Sequence, residues 1–437
     1  MKKSIKQMLK GVAIFCSIVM LFTLISACNK KSDDTAKKEK ETEAAEKEAV
    51  EEKESAEKKE VAEKSEASED KKAVEESDKK EASGEPIIVG VCTAMTGSSP
   101  LDGERTKQGV ELAVKEINAK GGVLGRPLEL MIEDDQNLAN VAVNATNKLM
   151  NSNIVAQLGP QKSGNTKAVM GIAKENGIPI LVGSTNPGLA DEGNEYLFRI
   201  RASDRLVGQT AAKFAIETLN AKKIGILFNN DDYGMGAKGA IESYLDTAGL
   251  EYVAEGHNTG DKDMTGQIMK LKDAGVDTII IWTHAPECAV VARQLKELLP
   301  GIPVVSGPTY TNQDFLNLVD AADIEGAYSV ADFSVEKDTP EMKAYVAACD
   351  EEYGIVPELF STTYYQGIYI LADAIERAGS TDHDAVRQAL SETKDFNGVM
   401  SAVNCNAKGE MVHEVTVVVL ENKVPVMKEI VKFDVDE

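Results

Sequence analysis

Three polar loops follow predicted strands, and they carry the residue types best suited to binding a small charged molecule. One loop, Gly159 to Thr166, leaves a strand and opens a helix, and two others span Gly183 to Pro187 and Asp231 to Gly234. Ligands of open α/β sheets bind beside the carboxyl ends of the strands, where such loops meet. Ser163 is expected near a helix N-terminus, where free backbone N–H groups and the helix dipole favour a carboxylate. An ordinary N-cap serine is the alternative, and the two roles are compatible.

Motifs of enzymes and metal sites are missing from the sequence. It has no Gly-x-Gly-x-x-Gly after the first predicted strand, no phosphate-binding Lys-Ser/Thr loop, no Gly-x-Ser-x-Gly, no Cys-x-x-Cys and no His-Glu-x-x-His. Cys92, Cys288, Cys349 and Cys405 have no informative spacing, so they are expected as small buried hydrophobes, with their pairing left open. Of the four histidines only His284, which follows the end of a predicted strand, is a candidate for a catalytic role. We therefore expect no enzyme, no metal and no cofactor.

A regular alternation of strands and helices positions these loops. Strands are predicted at 87–91, 128–132, 155–158, 179–182, 223–228, 252–255, 278–282 and 303–306, and the tail at 415–431 reads as a hairpin. Helices are predicted at 109–118, 139–150, 166–176, 207–219, 234–248, 264–274, 289–298, 341–353 and 363–378. Apolar strands that alternate with helices predict an α/β fold with parallel sheets covered on both faces. The alternation restarts after Arg205, which indicates two lobes.

Composition limits the partners. The 437 residues contain 48 Lys and Arg against 72 Asp and Glu, a net charge of −24. So acidic a chain is a poor match for nucleic acid, because phosphate binding needs a basic surface. The hydrophobic fraction of 43% is sufficient for a sizeable core.

The first 85 residues differ in composition from the rest. Four lysines precede an apolar run, Gly11 to Ile25, which is too short for a comfortable membrane span and typical of a secretory signal. The run ends in Leu-Ile-Ser-Ala-Cys28, which resembles a bacterial lipobox, so residues 1–27 are expected to be cleaved and Cys28 to receive lipid (palmitate). An uncleaved signal anchor is the alternative. Residues 28–85 read as the lipidated cysteine and a charged, disordered tether.

From Pro86 onward the sequence resembles the type I periplasmic binding proteins of branched-chain amino acid (leucine/isoleucine/valine) ABC transporters. The resemblance rests on several motifs in order: Met95-Thr96-Gly97, Glu116 to Gly122, Ser163-Gly164, Thr185-Asn186-Pro187, Phe198-Arg199 with Asp204, Tyr233-Gly234 and Leu371 to Ile375. It implies two Rossmann-like lobes joined by a three-crossover hinge, closing on a ligand between them.

The resemblance also implies roles for individual residues. Ser163 matches the serine that binds the ligand α-carboxylate, and Thr185, with the carbonyl of Gly183, matches the group that holds the α-amino end. Tyr233 matches the aromatic residue of the second lobe that closes over the ligand. Phe360 falls where the family often has an aromatic residue near the cleft.

Three positions depart from the family pattern. Thr309 follows Gly307-Pro308 where the family has an acid for the ammonium group, Asp102 stands where a tyrosine is frequent, and His284 makes the side-chain pocket more polar than an aliphatic ligand needs. Because a buried, unpaired ammonium is costly, either Asp102 or another acid substitutes, or the ligand is not an ordinary amino acid. Amides, urea and aromatic carboxylates are ligands of the same family.

Taken together, these observations predict a lipid-anchored, extracytoplasmic receptor. Its lobes are expected at 86–203 with 332–398, and at 204–331 with 399–437. We expect a monomer that binds a branched-chain or related amino acid and delivers it to ABC permease subunits. A sensory receptor with the same body is the alternative. The membrane would be contacted through the lipid alone.

Overall fold

The computed structural model describes residues 82 to 435, so the predicted signal peptide, Cys28 and most of the predicted tether lie outside the described residues. Within that range, no helix combines the length and apolar character needed to cross a membrane.

The first sheet has eight strands in the spatial order β11-β12-β13-β5-β4-β3-β1-β2. The strands from β13 to β2 run parallel, whereas β11 and β12 are antiparallel additions at one edge. Their bounds are β1 Ile87–Thr93, β2 Leu128–Asp134, β3 Ala156–Leu158, β4 Ile180–Val182, β5 Leu197–Ala202, β11 Phe396–Asn397, β12 Ala402–Val403 and β13 Glu410–Val412.

The second sheet has seven strands in the order β15-β14-β10-β9-β8-β6-β7. Five are parallel, and the C-terminal hairpin of β14 and β15 pairs antiparallel with β10. Their bounds are β6 Lys223–Asn229, β7 Glu251–His257, β8 Thr278–Trp282, β9 Val304–Ser306, β10 Tyr328–Ala331, β14 Glu414–Glu421 and β15 Val424–Lys432.

Helices cover both sheets, as parallel strands with two buried faces require. They are α1 Pro100–Ala119, α2 Ala139–Met150, α3 Ser163–Asn176, α4 Pro187–Asp191, α5 Asp204–Glu217, α6 Asp232–Ala248, α7 Thr265–Asp273, α8 Ala285–Leu298, a 3₁₀ turn Pro308–Thr311, α9 Gln313–Leu318, α10 Ala321–Ile324, α11 Pro340–Tyr353, α12 Leu359–Ala378 and α13 His383–Ser391. The predicted two-lobed α/β fold is confirmed.

The chain passes between the two sheets three times, at Ser203, in residues 332–339 and at His413. The sequence places the last boundary at 398/399, but β12 and β13 pair within the first sheet, so this boundary is wrong by about fifteen residues. Strands of two or three residues carry almost no periodic pattern, which is why the sequence does not indicate them.

Buried ion pairs tie the crossing segments together. Arg201, at the end of β5, donates from Nε and Nη2 to both carboxylate oxygens of Asp332, at 3.0 and 2.9 Å. Lys337 of the second crossing contacts Glu414 beside the third. Each pair joins two crossings, so the three segments form one connected hinge.

Candidate functional site

A cavity of about 100 Å³ lies between the lobes, at the carboxyl ends of the parallel strands. Volumes of this kind hold several water molecules, so there is room for a small organic molecule. All eight residues predicted for the site line it: Ser163, Gly183, Thr185, Tyr233, Asp102, His284, Thr309 and Phe360. The sequence did not single out the other nine: Ser99, Asn137, Gln161, Lys162, Arg201, Ala285, Pro308, Asn312 and Leu359.

One part of the cavity lining presents hydrogen-bond donors. Ser163 is the first residue of α3, and the first turn of this helix contains no acidic residue. Its hydroxyl accepts from the backbone N–H of Asn186 at 3.4 Å, which leaves the hydroxyl proton available. Lys162, the N-cap residue, also lines the cavity and makes no side-chain cap. The free N–H groups, the hydroxyl proton and the positive end of the dipole together suit a carboxylate.

A neighbouring part of the lining presents acceptors. The Thr185 hydroxyl donates to Oδ2 of Asp204 at 2.8 Å, so its lone pairs remain for a donor on the ligand. The Thr309 hydroxyl likewise donates to the Thr283 carbonyl at 2.7 Å. Both hydroxyls are therefore held as acceptors facing the cavity, an arrangement that suits an ammonium group with its three N–H bonds.

The buried charges behind Thr185 contain one more carboxylate than cation. Arg199 pairs with Glu410 at 3.1 Å, and Arg201 pairs with Asp332. Asp204 is fully buried and has no such partner, and its Oδ1 atom makes no hydrogen bond with a described residue. Burial raises the pKa of Asp204 to about 7, although the Thr185 hydroxyl and the two arginines act to lower it. A ligand cation would supply the missing charge.

Arginines hold the backbone of the loop that carries Thr185. Arg199 donates to the carbonyls of Thr185 and Asn186, at 3.2 and 2.6 Å, and Arg201 donates to the Gly183 carbonyl at 3.4 Å. A side chain at Gly183 would bring its Cβ within 2.9 Å of the Tyr364 hydroxyl, so the position requires glycine. The loop is thus fixed before any ligand arrives.

The second lobe contributes a stack of rings. Tyr233, in the first turn of α6, stacks on His284 with ring centroids 5.1 Å apart, and Trp282 lies beneath at 6.3 Å from Tyr233. Burial raises the pKa of Tyr233 well above its ordinary value, so its hydroxyl stays neutral. On the first lobe the Phe360 ring lies 5.8 Å from the Arg201 guanidinium.

His284 is held by a carboxylate. Its Nε2 lies 2.7 Å from Oδ2 of Asp231, which also caps α6 by accepting from the Gly234 N–H. Burial acts to raise the pKa of Asp231, but the hydrogen bond and charge of His284 hold that pKa below its ordinary value. Asp231 therefore accepts a hydrogen bond from the Nε2–H of His284.

Asp102 lies in the first turn of α1, not in a loop, because the helix begins at Pro100 and not at the predicted Gly109. The Asn312 side chain, from the other lobe, donates to Oδ1 of Asp102 at 3.3 Å. Burial, together with the charges of Asp314 and Glu358, raises the pKa of Asp102 well above its ordinary value.

Further contacts join the lobes at the edge of the cavity. Asp232, the first residue of α6, binds the Lys167 ammonium at 2.7 Å, and its carbonyl accepts from the side chain of Asn186. With the contact between Asn312 and Asp102, these bonds hold the two lobes against each other.

Sequence reasoning missed Arg201 and did not assign Asp204 to the site. β5 reads Leu-Phe-Arg-Ile-Arg-Ala, and its charges obscured an entirely buried strand. Two arginines separated by one residue on a strand point to the same face. Followed by an acid three residues later, they were a usable signal of a buried ionic cluster.

Comparisons with known proteins agree with this geometry. A family model described as periplasmic binding protein matches residues 86–424. The Leu/Ile/Val-binding protein BraC3 of Rhizobium johnstonii is 29% identical over 328 residues, covering 74% of this chain and 89% of its own.

Two solved structures share the fold over nearly their whole length. The leucine-binding protein LivK of Thermotoga maritima has a TM-score of 0.75 at 25% identity and covers 79% of this chain and 99% of its own. The branched-chain amino acid transporter substrate-binding protein LivJ of Streptococcus pneumoniae, solved with isoleucine, has a TM-score of 0.74 at 27% identity, with 80% of this chain and 100% of its own covered. The chain therefore belongs to the periplasmic binding protein family and has the type I fold of its branched-chain amino acid receptors.

Proposed function

We propose that this protein is the extracytoplasmic substrate-binding component of an ABC importer and that it binds a branched-chain or related amino acid. The neighbouring donor and acceptor groups of the cavity lining carry the proposal. A zwitterion matches both groups at once, with its carboxylate at Ser163 and its ammonium at Thr185 and Thr309. Relatives of similar sequence are solute-binding proteins and not enzymes, and the name of one of them states that it binds Leu, Ile and Val.

Asp204 is our candidate for the acid that the family pattern has at position 309. It is the one carboxylate of its buried cluster that has no cationic partner, and it accepts a hydrogen bond from the Thr185 hydroxyl. A ligand ammonium bound at Thr185 would complete the charge balance of that cluster. The cost of burying an unpaired ammonium is then avoided.

Closure of the lobes on the ligand is part of the proposal. The ligand would contact Ser163 and Thr185 on one lobe and Tyr233 on the other, and only a closed form provides both sets of contacts. Contacts such as Lys167 with Asp232 would stabilise that form.

Anchoring also belongs to the proposal. We infer that residues 1–27 direct export, that Cys28 is lipidated, and that the protein acts as a monomer at the outer face of the cell membrane. Its partners would be the permease subunits that receive the amino acid, or a signalling protein in the sensory alternative.

A second candidate ligand is a carboxylate that lacks an ammonium group, such as an aromatic acid. The observation in its favour is Thr309 in place of the family acid, together with the Arg201 guanidinium beside the Phe360 ring.

Calorimetry on the purified extracytoplasmic body tests both candidates. Ser163→Ala removes one hydrogen bond to a charged group, which is worth about 1.5–3 kcal/mol. It is expected to lower the affinity for both amino acids and simple carboxylates by roughly tenfold to 150-fold. Ser243→Ala, on the exposed face of α6, is the matched control and is expected to change nothing. Thr185→Ala is expected to lower the affinity only for ligands that carry an ammonium group. If wild-type protein binds simple carboxylates and no amino acid, the amino acid assignment is wrong. If Ser163→Ala changes no affinity, the site itself is wrong.

A further inference from the structure

Among the described residues that line the cavity, Lys162 is the only lysine, and the proposed recognition of an amino acid gives it no role. It is the N-cap residue of α3 and directly precedes Ser163, which is 3% exposed and whose hydroxyl proton is available. Because neighbouring Cα atoms are only about 3.8 Å apart, the flexible stem of Lys162 can bring its ammonium to a carboxylate bound at Ser163. This inference rests on the proposed function, which places the ligand carboxylate there.

The positive charge of Lys162 has no partner in the described part of the chain. Within residues 82–435 its ammonium lies within 4.0 Å of no carboxylate and donates no hydrogen bond. Arg201, which also lines the cavity, differs, because its guanidinium donates to both carboxylate oxygens of Asp332. Lys162 is therefore available to a ligand anion, whereas Arg201 is already neutralised.

The carboxyl groups nearest to this lysine are held by other donors. The charge of Lys162 acts to lower the pKa values of Asp102 and Asp135, but burial raises both. Asp102 accepts from the Asn312 side chain at 3.3 Å. Asp135 accepts from a backbone N–H at 2.8 Å and from the Asn165 side chain at 3.0 Å. Neither carboxyl forms a salt bridge with the lysine, so its ammonium can still bind a ligand.

The charges around the cavity then match those of a zwitterion. A ligand ammonium at Thr185 balances the unpaired carboxylate of Asp204. A ligand carboxylate at Ser163 balances the ammonium of Lys162. We propose that Lys162 is the counter-ion of the ligand carboxylate and makes the site prefer an amino acid over its carboxamide. A hydroxyl and backbone N–H groups can donate to either of these ligands, whereas a full positive charge favours the anion through a charge-assisted hydrogen bond.

Calorimetry with an amino acid and its carboxamide tests the proposal. Whichever of leucine, isoleucine and valine binds the wild-type protein most tightly is compared with its carboxamide, which keeps the ammonium and the side chain but lacks the negative charge. Lys162→Met is expected to lower the affinity for the amino acid about tenfold or more and to leave the affinity for the carboxamide nearly unchanged. Lys162→Arg keeps the charge and is expected to retain the preference. Lys174→Met, which removes an exposed lysine from the last turn of α3, is the matched control and is expected to change neither affinity.

Salt provides a second readout that a purely structural role would not change. Lys162 is half-buried, so dissolved ions screen its charge in part. Added salt is therefore expected to lower the affinity of the wild-type protein for the amino acid more than that of Lys162→Met. An equal dependence on salt in the two proteins would contradict the ion pair.

The outcomes separate this inference from the proposed function. If Ser163→Ala lowers the affinity for the amino acid but Lys162→Met changes nothing, or lowers both affinities equally, the receptor assignment stands and the role of Lys162 is wrong. If the wild-type protein prefers glutamate to glutamine and Lys162→Met removes that preference, the lysine binds a side-chain carboxylate and the inference is again overturned. If no amino acid binds at all, the proposed function fails, and the inference fails with it.

Discussion

Asp204 makes binding depend on pH in a direction that can be worked out. In the ligand-free protein its pKa is about 7, because the carboxyl is buried and its cluster lacks one cation. A bound ammonium would stabilise the carboxylate and lower that pKa. Binding therefore releases the proton that Asp204 holds below pH 7.

The size of the effect follows from linkage. Affinity is expected to be flat above about pH 8 and to fall by about tenfold for each unit below pH 7, where a proton must leave before the ligand binds. At pH 7 about half a proton is expected to be released per ligand, and almost none at pH 8.5. The Asp204→Asn variant keeps the shape but removes the charge, which is expected to cost about 2–3 kcal/mol, or roughly 30-fold to 150-fold in affinity at pH 8.

Calorimetry in buffers of different ionisation enthalpy measures both the affinity and the number of protons released on binding. The apparent binding enthalpy changes with the buffer in proportion to the protons released. Asp204→Asn is expected to show weak binding without proton release and without the fall below pH 7. Groups of the ligand titrate alike with both proteins, so the difference between them isolates Asp204. Glu358, whose pKa burial also raises to about 7, accepts from backbone N–H groups as the N-cap of α12 and has no bond to Thr185, so Glu358→Gln is expected to retain proton release. Equal pH profiles for wild-type and Asp204→Asn would refute the assignment of Asp204 as the counter-ion.

Three further predictions concern stability, motion and anchoring. Because burial raises the pKa of Glu358 in the folded state, it binds its proton more tightly there than in the unfolded chain, so the ligand-free protein is expected to lose stability as pH rises from about 4.5 through 7. Thermal unfolding at pH 5.5 and 8 measures that loss, and a Glu358→Gln variant with an undiminished slope would contradict it. Solution scattering is expected to show a more compact envelope with ligand than without, and less compaction in Lys167→Ala, which lacks the contact with Asp232; envelopes that never change would exclude closure. Replacing Cys28 by Ser is expected to release the protein from the membrane fraction of cells, and continued tight association would rule out the lipid anchor.

The sequence predicted the strands and helices well where their hydrophobic periodicity is strong. Long apolar strands such as Thr278–Trp282 and amphipathic helices such as Ala139–Met150 were placed at their observed bounds, because one periodicity governs each of them. β5 was missed since two buried arginines interrupt its apolar pattern, and their neutralisation depends on Glu410 and Asp332, far away in sequence. A pairing of this kind has no local signature.

The site was predicted in part. The strand-end loops gave Ser163, Gly183 and Thr185, since parallel strands bring their carboxyl ends to one edge of a sheet. Asp204 was not assigned to the site, because its importance comes from a balance of charges among residues of four different elements. The sequence could identify the absence of an acid at Thr309 but not its replacement.

The pairing of β5 with β13 also determines when the first lobe can be completed. Arg199 and its counter-ion Glu410 are 211 positions apart, and all five parallel strands of the second sheet are encoded between them. Until the last tenth of the chain is in place, β5 is an open sheet edge with an unneutralised arginine under the Thr185 loop. Contacts between residues so far apart in sequence form late, because the entropic cost of closing a large loop comes before the contact stabilises the fold. Binding competence is thus a product of the final steps of folding, and a chain truncated before Glu410 is expected to retain the second lobe's parallel strands without a finished site.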